Sequence, residues 1–407
     1  MKLKKILFFC EGVTVAHLVR PLMLAETLDE HWQVHVAHSN DFPFIRRQFQ
    51  RKIQYHKVYG LSGKKFNDAL HLGYLPYNYA ELKSYVEADK NLIEQVNPDI
   101  IVSDFRLSVT TAAHKSPIPV LNLINAHWDP HAEAVFPVPN VPASRILGPK
   151  IAQFVMSRWG PAIFRQQLKG INRLRQELSL PTFSSLHEWY SDGTHVIFPD
   201  LPELFPIKNL AENKHFLGLL SWDPDLPLPP LDPHKTTIYF GMGSSGNDKV
   251  IKPLIEILSE VKAQVIFSTA GKTDQQHGLP PNFLTKDYVS GLKACAAADL
   301  VICNGGSGTV SQCIEAGTPL VGFANNFDQF LSMYFSKKTG LSHLMRTERV
   351  DKAKWRDTIV TLLESTSSDI SSKKWRERAQ NLRYENEFPL LVNSLVDSRP
   401  AVALPLA

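Results

Sequence analysis

The segment from Val301 to Pro319 constrains the fold more strongly than any other part of the chain. It begins as a short apolar strand, passes through a loop with glycines at 305, 306 and 308, and continues as a helix that Gly317 can end. Ser307 or Thr309 is suited to cap that helix. Because a helix start presents backbone N–H groups and the positive end of its dipole, the segment predicts a binding site for a phosphate.

Strand and helix patterns alternate in two separate parts of the chain, which is typical of parallel sheets covered by helices. In the first part we predict strands at 6–10, 33–37, 100–103, 120–123 and 194–198, and helices at 17–28 and 78–96. In the second part we predict strands at 236–240, 263–267, 300–303 and 320–322, followed by a helical tail from 368 to 396 with a break or kink near Pro389. A chain of 407 residues exceeds what one core usually holds, so two domains are expected.

Two proline-rich regions interrupt this alternation. Residues 221–233 contain five prolines and cannot sustain a helix or an interior strand, so they are predicted to be the linker. Residues 127–190 mix prolines, helical patterns and bulky apolar side chains. They indicate either the packing of an irregular helical insertion or an apolar pocket for a substrate.

Composition excludes several classes of protein. Hydrophobic residues make up 43%, charged residues 21%, and the net charge is +4, as in ordinary globular proteins. No nucleic-acid recognition motif accompanies the basic clusters at 46–52 and 373–378, which indicate a solvated face or an anionic membrane surface. The apolar stretch Ile6–Cys10 is too short for a signal peptide, and four cysteines without paired spacing favour reduced thiols. We expect a cytoplasmic protein; peripheral contact with the inner face of a membrane and the oligomeric state stay open.

A wider set of residues resembles a known family. The run Asn304–Thr309, Gln312, the run Ala316–Pro319 and the pair Asp328-Gln329 closely resemble the donor-binding motif of the UDP-glycosyltransferase superfamily. The resemblance implies an α/β fold of the GT-B type, with two facing Rossmann-like domains, parallel sheets and a cleft between them. It further implies an acceptor-binding domain at 1–216, a donor-binding domain at 217–386, and a last helix with its tail at 387–407 that returns to the first domain.

The N-terminal segment also resembles this family, and it carries the expected catalytic residues. In the family, a histidine at the position of His17 is the general base that deprotonates the acceptor hydroxyl, and an aspartate at the position of Asp104 orients it. The alternatives are a capping or surface histidine, and an aspartate that caps the helix beginning near Leu107.

The resemblance assigns a donor-binding set in the second domain. Its members are Gly243, Ser244, Ser245, Tyr288, Val289, Asn304, Gly305, Gly306, Ser307, Gly308, Thr309, Gln312, Asp328 and Gln329. Three positions depart from the family pattern, since Asn304 replaces a histidine, Gln312 replaces a ribose-binding glutamate, and Ser290-Gly291 replaces Pro-Gln. Glu315 lies one helical turn after Gln312 and is the alternative residue for binding the ribose, although it points less directly at the loop. Tyr288 either stacks on the nucleotide base or is an ordinary strand aromatic. The base therefore stays open.

The predicted acceptor contacts are Gly12, His127, Trp128 and Phe136, which favour an apolar small molecule or a lipid. We expect no metal or other cofactor, because Asp223-Pro-Asp225 lies in the linker and away from any strand end. The expected function is a metal-independent inverting transfer of sugar from a UDP- or dTDP-sugar. Two alternatives stay open: a nucleotide-sugar epimerase on the same scaffold, and a non-catalytic partner of another transferase.

Overall fold

The first part of the chain folds into a parallel sheet of seven strands. The computed structural model describes residues 3–40, 42–72, 74–243, 247–271, 278–365 and 369–398. Within these ranges the strand order is β3-β2-β1-β4-β5-β6-β7. The strands are β1 (Lys4–Cys10), β2 (Trp32–His38), β3 (Ile53–Lys57), β4 (Ile100–Asp104), β5 (Val120–Leu123), β6 (His195–Phe198) and β7 (Lys214–Phe216).

The second part forms a parallel sheet of six strands, in the order β10-β9-β8-β11-β12-β13 across the described residues. These strands are β8 (Thr237–Gly241), β9 (Gln264–Ser268), β10 (Phe283–Lys286), β11 (Leu300–Cys303), β12 (Leu320–Ala324) and β13 (Ser342–Arg346). The expected fold class is confirmed, since two Rossmann-like parallel sheets are present.

Helices cover the faces of both sheets and build the insertion. Those of the first part are α1 (Ala16–Glu26), α2 (Pro43–Arg46), α3 (Gly63–Leu72), α4 (Tyr79–Val96), α5 (Val109–Ala112), α6 (Pro142–Leu147), α7 (Pro149–Gln166), α8 (Lys169–Glu177) and α9 (Leu186–Tyr190). Those that follow are α10 (Asp248–Ser259), α11 (Gly291–Ala297), α12 (Ser307–Ala316), α13 (Phe327–Ser336), α14 (Lys352–Glu364), α15 (Asp369–Asn381) and α16 (Tyr384–Asp397). No helix in these ranges has the length and apolar character needed to cross a bilayer.

The central strands form because both of their faces are buried. Residues 6–10 of β1 have no exposed surface, and neither do residues 100–102 of β4. Strands covered on both faces are continuous apolar runs, which is the pattern that predicted them. Their carboxyl ends place the loops that follow on one edge of each sheet.

The last helix packs on the first sheet. Phe388 of α16 has no exposed surface, and its ring lies 6.2 Å from that of Phe8 on β1. The indole Nε1 of Trp32 donates to Asn393 Oδ1 at 3.2 Å. The tail divides between α15 and α16, ahead of Tyr384. A break at Pro389 is therefore wrong, because α16 continues through that proline, and the alternative of a kink there stays a prediction. The domain limits themselves stay a prediction.

A pair of stacked histidines couples the first sheet to pH. His35 on β2 is buried, and its Nδ1 lies 2.9 Å from Nε2 of His56 on β3. Burial, and then the charges of His56 and Lys5, lower the pKa of His35 to about 4. The native state therefore resists a proton that the unfolded chain accepts near pH 6.5.

We predict that the free energy of unfolding decreases as the pH falls from about 6.5 towards 4, with a contribution of roughly 2 kcal/mol from His35 by pH 5. Urea titrations at pH 7 and pH 5 measure it. His35→Gln should reduce the difference between the two pH values, whereas His31→Gln, at an exposed histidine, should leave it unchanged. An equal loss in wild type and His35→Gln would contradict the assignment.

Candidate active site

The structure brings His17 and Asp104 into direct contact. His17 is the second residue of α1, and Asp104 ends the neighbouring strand β4. His17 Nδ1 lies 2.8 Å from Asp104 Oδ1. We assign the proton to Nδ1, because a carboxylate oxygen only accepts, and this leaves the lone pair of Nε2 available as a base.

Neither residue acts as a helix cap. The residue that precedes α1 is Val15, and the one that precedes α5 is Ser108. Asp104 has no exposed surface and directs both oxygens at side chains. The capping alternatives raised by the sequence are therefore not what the structure shows.

Arg20 is a member of this cluster that the sequence analysis missed. Its Nε donates to Asp104 Oδ2 at 2.8 Å and its Nη2 to Oδ1 at 2.5 Å. Burial lowers the pKa of Arg20, but the charge and hydrogen bonds of Asp104 raise the pKa by a larger amount, so the net shift is upward. A signal was available, because His17 and Arg20 are three positions apart and lie on one face of a helix.

The buried network continues beyond Arg20. Its Nη1 donates to Asn125 Oδ1 at 3.2 Å. Asp200 accepts the backbone N–H of Ala126 at 2.7 Å, which fixes the loop that carries Asn125. Burial raises the pKa of Asp200.

Phe105 is a second member that the sequence did not indicate. Its ring stacks on His17 with 4.8 Å between centroids and 10° between planes. Its φ of 55° lies in the left-handed region, which a phenylalanine rarely adopts. Such strain is characteristic of functional sites, and here it directs the ring onto the imidazole.

The glycine loop of the second domain leads into α12. Gly306 precedes the helix, and no side chain caps it. The expectation that Ser307 or Thr309 caps is therefore wrong, because both lie inside the first turn. This leaves the first N–H groups of α12 without a side-chain cap.

Neighbouring groups hold this loop in shape. Asn304 Oδ1 accepts the N–H of Gly306 at 3.0 Å. Gly305 has a φ of 75°, and a Cβ there would lie 2.6 Å from Met333 Cγ. A Cβ on Gly243 would lie 3.6 Å from Asn304 Nδ2, so the two glycine loops are adjacent. Ser244 and Ser245 lie outside the described residues.

Two residues of the donor region are already bonded to the linker: Gln312 of the predicted donor set, and Ser290, which replaces the family's Pro-Gln with Gly291. Gln312 Nε2 donates to the carbonyl oxygen of Trp222 at 2.6 Å. Ser290, which precedes α11, donates to the Asp223 carboxylate at 2.7 Å. Asp225 pairs with Lys293. No cluster of three metal-ligating side chains occurs among the residues described.

Asp328 connects the two domains. Its Oδ1 lies 3.3 Å from Nε2 of His127, which belongs to the first domain and is buried. Partial desolvation raises the pKa of Asp328, but the hydrogen bond and charge of His127 and the charge of His17 lower it by more, so the net shift is downward. The desolvation is only partial because about half of the Asp328 side chain is exposed. The predicted sugar contact thus lies within electrostatic range of the predicted base.

Gln329 is engaged in the start of α13. Its backbone N–H donates to Asn326 Oδ1 at 3.0 Å, and its side-chain oxygen accepts the backbone N–H of Asn326 at 3.3 Å. This is a capping box, which the spacing of Asn326 and Gln329 predicts. Its role in binding sugar hydroxyls stays a prediction.

Tyr288 lies in the loop after β10, not in a strand. Its ring stacks on Phe44 of the first domain, with centroids 5.0 Å apart. Its hydroxyl donates to the carbonyl oxygen of Ala270 at 3.1 Å. The neighbouring Val289 is buried. Phe44 therefore covers one face of the ring that we predicted to stack on the base.

The predicted acceptor residues lie in different surroundings. Trp128 packs on Tyr190, with centroids 4.5 Å apart, and Phe136 packs on Phe164 of α7 at 5.6 Å. Tyr190 also contacts Phe105, so an aromatic wall extends from His17 to Trp128. Gly12 instead packs against the loop after β2, where a Cβ would lie 2.8 Å from the backbone nitrogen of Asn40.

A further acid lies near the end of β1. Glu11 has no exposed surface and accepts from Tyr85 at 3.2 Å and from Tyr77 at 3.4 Å. Burial raises the pKa of Glu11 to about 7, although Arg106 and the tyrosines oppose it. Because Glu11 is enclosed, His17 is the better placed base for a substrate in the cleft.

Comparison with known proteins identifies the family. No family model matches the chain. It is 33% identical over 354 residues to a PGL/p-HBAD biosynthesis glycosyltransferase of Mycobacterium tuberculosis (strain ATCC 25177 / H37Ra), covering 86% of this chain and 82% of that protein. It is 31% identical over 385 residues to a PGL/p-HBAD biosynthesis rhamnosyltransferase of Mycobacterium bovis (strain BCG / Pasteur 1173P2), covering 93% and 83%.

Solved structures share the fold at low sequence identity. CalG4, the calicheamicin glycosyltransferase, matches with a TM-score of 0.70 and 14% identity over 98% of this chain and 99% of that one. The glycosyltransferase VinC in complex with DTDP matches with a TM-score of 0.65 and 14% identity over 97% and 98%. The chain therefore belongs to the UDP-glycosyltransferase superfamily and is a glycosyltransferase of the GT-B fold. The expectation of an enzyme is confirmed.

Arg20 provides a test of the buried cluster. We predict that Arg20→Gln lowers the free energy of unfolding by about 3 kcal/mol, because it leaves the Asp104 charge without its main partner. Adding Asp104→Asn should restore part of this loss, since the unpaired charge is then gone. Urea unfolding at pH 7 measures both. If the second substitution adds a further full loss, Arg20 and Asp104 are not coupled.

Proposed function

We propose that this glycosyltransferase moves a sugar from a UDP- or dTDP-sugar to a hydroxyl of an apolar small-molecule or lipid acceptor, with inversion and without a metal. The observation that carries the proposal is the contact of His17 with Asp104 at 2.8 Å. Asp328, a candidate sugar contact at the start of α13, belongs to the opposite domain, contacts His127 of the first domain and lies within electrostatic range of His17.

In the proposed reaction His17 Nε2 takes the proton of the acceptor hydroxyl while its oxygen attacks the anomeric carbon. The bond from that carbon to the diphosphate breaks on the opposite side, and the nucleoside diphosphate leaves with the electron pair. Asp104 orients the ring and stabilises the imidazolium. The first N–H groups of α12 receive the leaving charge, which is the task a metal performs in other enzymes.

Three findings support the donor class. The uncapped start of α12 suits a diphosphate. The relative from Mycobacterium bovis is named a rhamnosyltransferase, and VinC, which shares the fold, was solved with DTDP. The half-exposed carboxylate of Asp328 suits sugar hydroxyls, because polar groups left unpaired by an analogue give strong discrimination.

The aromatic wall supports the acceptor class. The rings of Phe105, Tyr190 and Trp128 pack in a continuous apolar row that begins at His17, with Phe105 partly exposed and the other two buried, and we propose that this row forms one wall of the acceptor pocket. Such surfaces bind apolar substrates, with a few polar groups to fix orientation. The relatives named for PGL/p-HBAD biosynthesis agree with an acceptor of this kind.

We predict that His17→Ala lowers kcat by roughly 10²–10⁴-fold, the usual contribution of a general base, and leaves donor affinity nearly unchanged. Asp104→Asn should act on the same step, so the double variant should cost much less than the product of the single effects. Turnover at saturating donor and calorimetry with the nucleotide measure the two quantities.

Gly306→Val is the control for donor binding, which the His17 and Asp104 variants should retain. A side chain at this position obstructs the start of α12, so donor binding should be lost with or without magnesium. Full activity in His17→Ala would remove the mechanism. If the effects of His17→Ala and Asp104→Asn on kcat multiply in the double variant, the two residues do not act on the same step. If the wild type binds no nucleotide diphosphate, the proposed donor is wrong.

A further inference from the structure

The helices α6 and α7 expose an unusual apolar surface. Seven of the seventeen strongly exposed large apolar residues in the described part of the chain lie between positions 146 and 163. Ile146 is 83% exposed, Phe154 75% and Trp159 57%. Isolated exposed apolar residues are normal, but a cluster of this size marks an interaction site. We call these outward apolar side chains of residues 146–163 the α6–α7 face.

The inward side of α7 explains why the helix forms although its outward side is apolar. Only Ala152, Gly160 and Phe164 of α7 are buried. Phe164 packs on Phe327 of the second domain, with centroids 5.1 Å apart, and a Cβ on Gly160 would lie 3.1 Å from the Phe136 ring. These inward contacts fix the helix, so the outward apolar residues are not needed for folding.

The charge around the α6–α7 face has one sign. The sequence has no aspartate or glutamate from Ala134 to Gln176, but seven lysines and arginines. Of these, Lys150, Arg158 and Arg165 are exposed on α7 itself. A helix that combines exposed aromatic and aliphatic residues with basic residues is typical of segments that lie in a membrane interface.

We propose that the α6–α7 face docks the enzyme on an anionic lipid bilayer. The apolar side chains would enter the interface, and the basic residues would pair with anionic headgroups. A symmetric contact between two copies is disfavoured, because an isologous interface would bring the same cations together without an acidic residue between them. This inference goes beyond the proposed reaction, since it concerns the surface alone.

Docking would also bring the cleft close to the bilayer. Phe164 on the buried side of α7 packs on Phe136 and on Phe327 of the second domain, so α7 presents one side to the contact between the domains and the other to the α6–α7 face. An acceptor with a lipid chain would then reach the site without crossing open water.

Vesicle sedimentation with the full chain tests the proposal. Vesicles of phosphatidylcholine with phosphatidylglycerol should bind the protein, vesicles of phosphatidylcholine alone should bind it much less, and salt should weaken the binding. Phe154→Ser with Trp159→Ser should lower the affinity for anionic vesicles at least tenfold. Lys150→Gln with Arg158→Gln and Arg165→Gln should remove the preference for anionic lipid.

Leu210→Ser with Leu390→Ser is the matched control, because both leucines are exposed but distant in sequence from α6 and α7. It should bind vesicles like wild type. The proposal is overturned if wild type binds neither kind of vesicle, if the α6–α7 variant still binds, or if the control loses binding equally. Light scattering gives a further contradicting outcome. If the wild type binds no vesicles and the double variant Phe154→Ser with Trp159→Ser dissociates an oligomer, the α6–α7 face is a protein interface and the proposal is overturned. None of these outcomes depends on donor or acceptor.

Discussion

The buried charge of Asp104 is the interaction on which the site depends. The carboxylate has no exposed surface, so the fold must satisfy both oxygens from within. His17 and Arg20 do so from one face of α1, and Arg20 extends the network to Asn125. One helix therefore supplies both the candidate base and the cation that holds its orienting partner. Through His127 and Asp328, the same region also makes contact with the opposite domain.

The sequence predicted the centres of both sheets but not their edges. The strands that it indicated, such as 6–10 and 300–303, are buried on both faces and appear as apolar runs. The four strands that it missed, β3, β7, β10 and β13, are all edge strands. Their residues are partly exposed and include His56, Lys214, Lys286 and Arg346, so no apolar run or strict alternation identified them.

The site shows a similar division. The glycine loop, His17 and Asp104 were found because they belong to motifs that are local in sequence. Phe105 was missed because its role arises from a left-handed backbone that sequence patterns do not report, and Asn125 because its partner is distant in the chain. Gln329 shows the reverse, since motif resemblance assigned a ligand contact to a side chain that also completes a helix start. Residues at the ends of secondary structure serve both purposes, and only the fold distinguishes them.

A crystal structure with a nucleotide diphosphate and an acceptor bound together tests the proposed mechanism most directly. The mechanism predicts that the diphosphate lies against the first turn of α12. It also predicts that the acceptor hydroxyl lies about 2.6–3.2 Å from His17 Nε2, the reach of a general base. A diphosphate bound elsewhere, or an acceptor hydroxyl held by another base with His17 turned away, would contradict it.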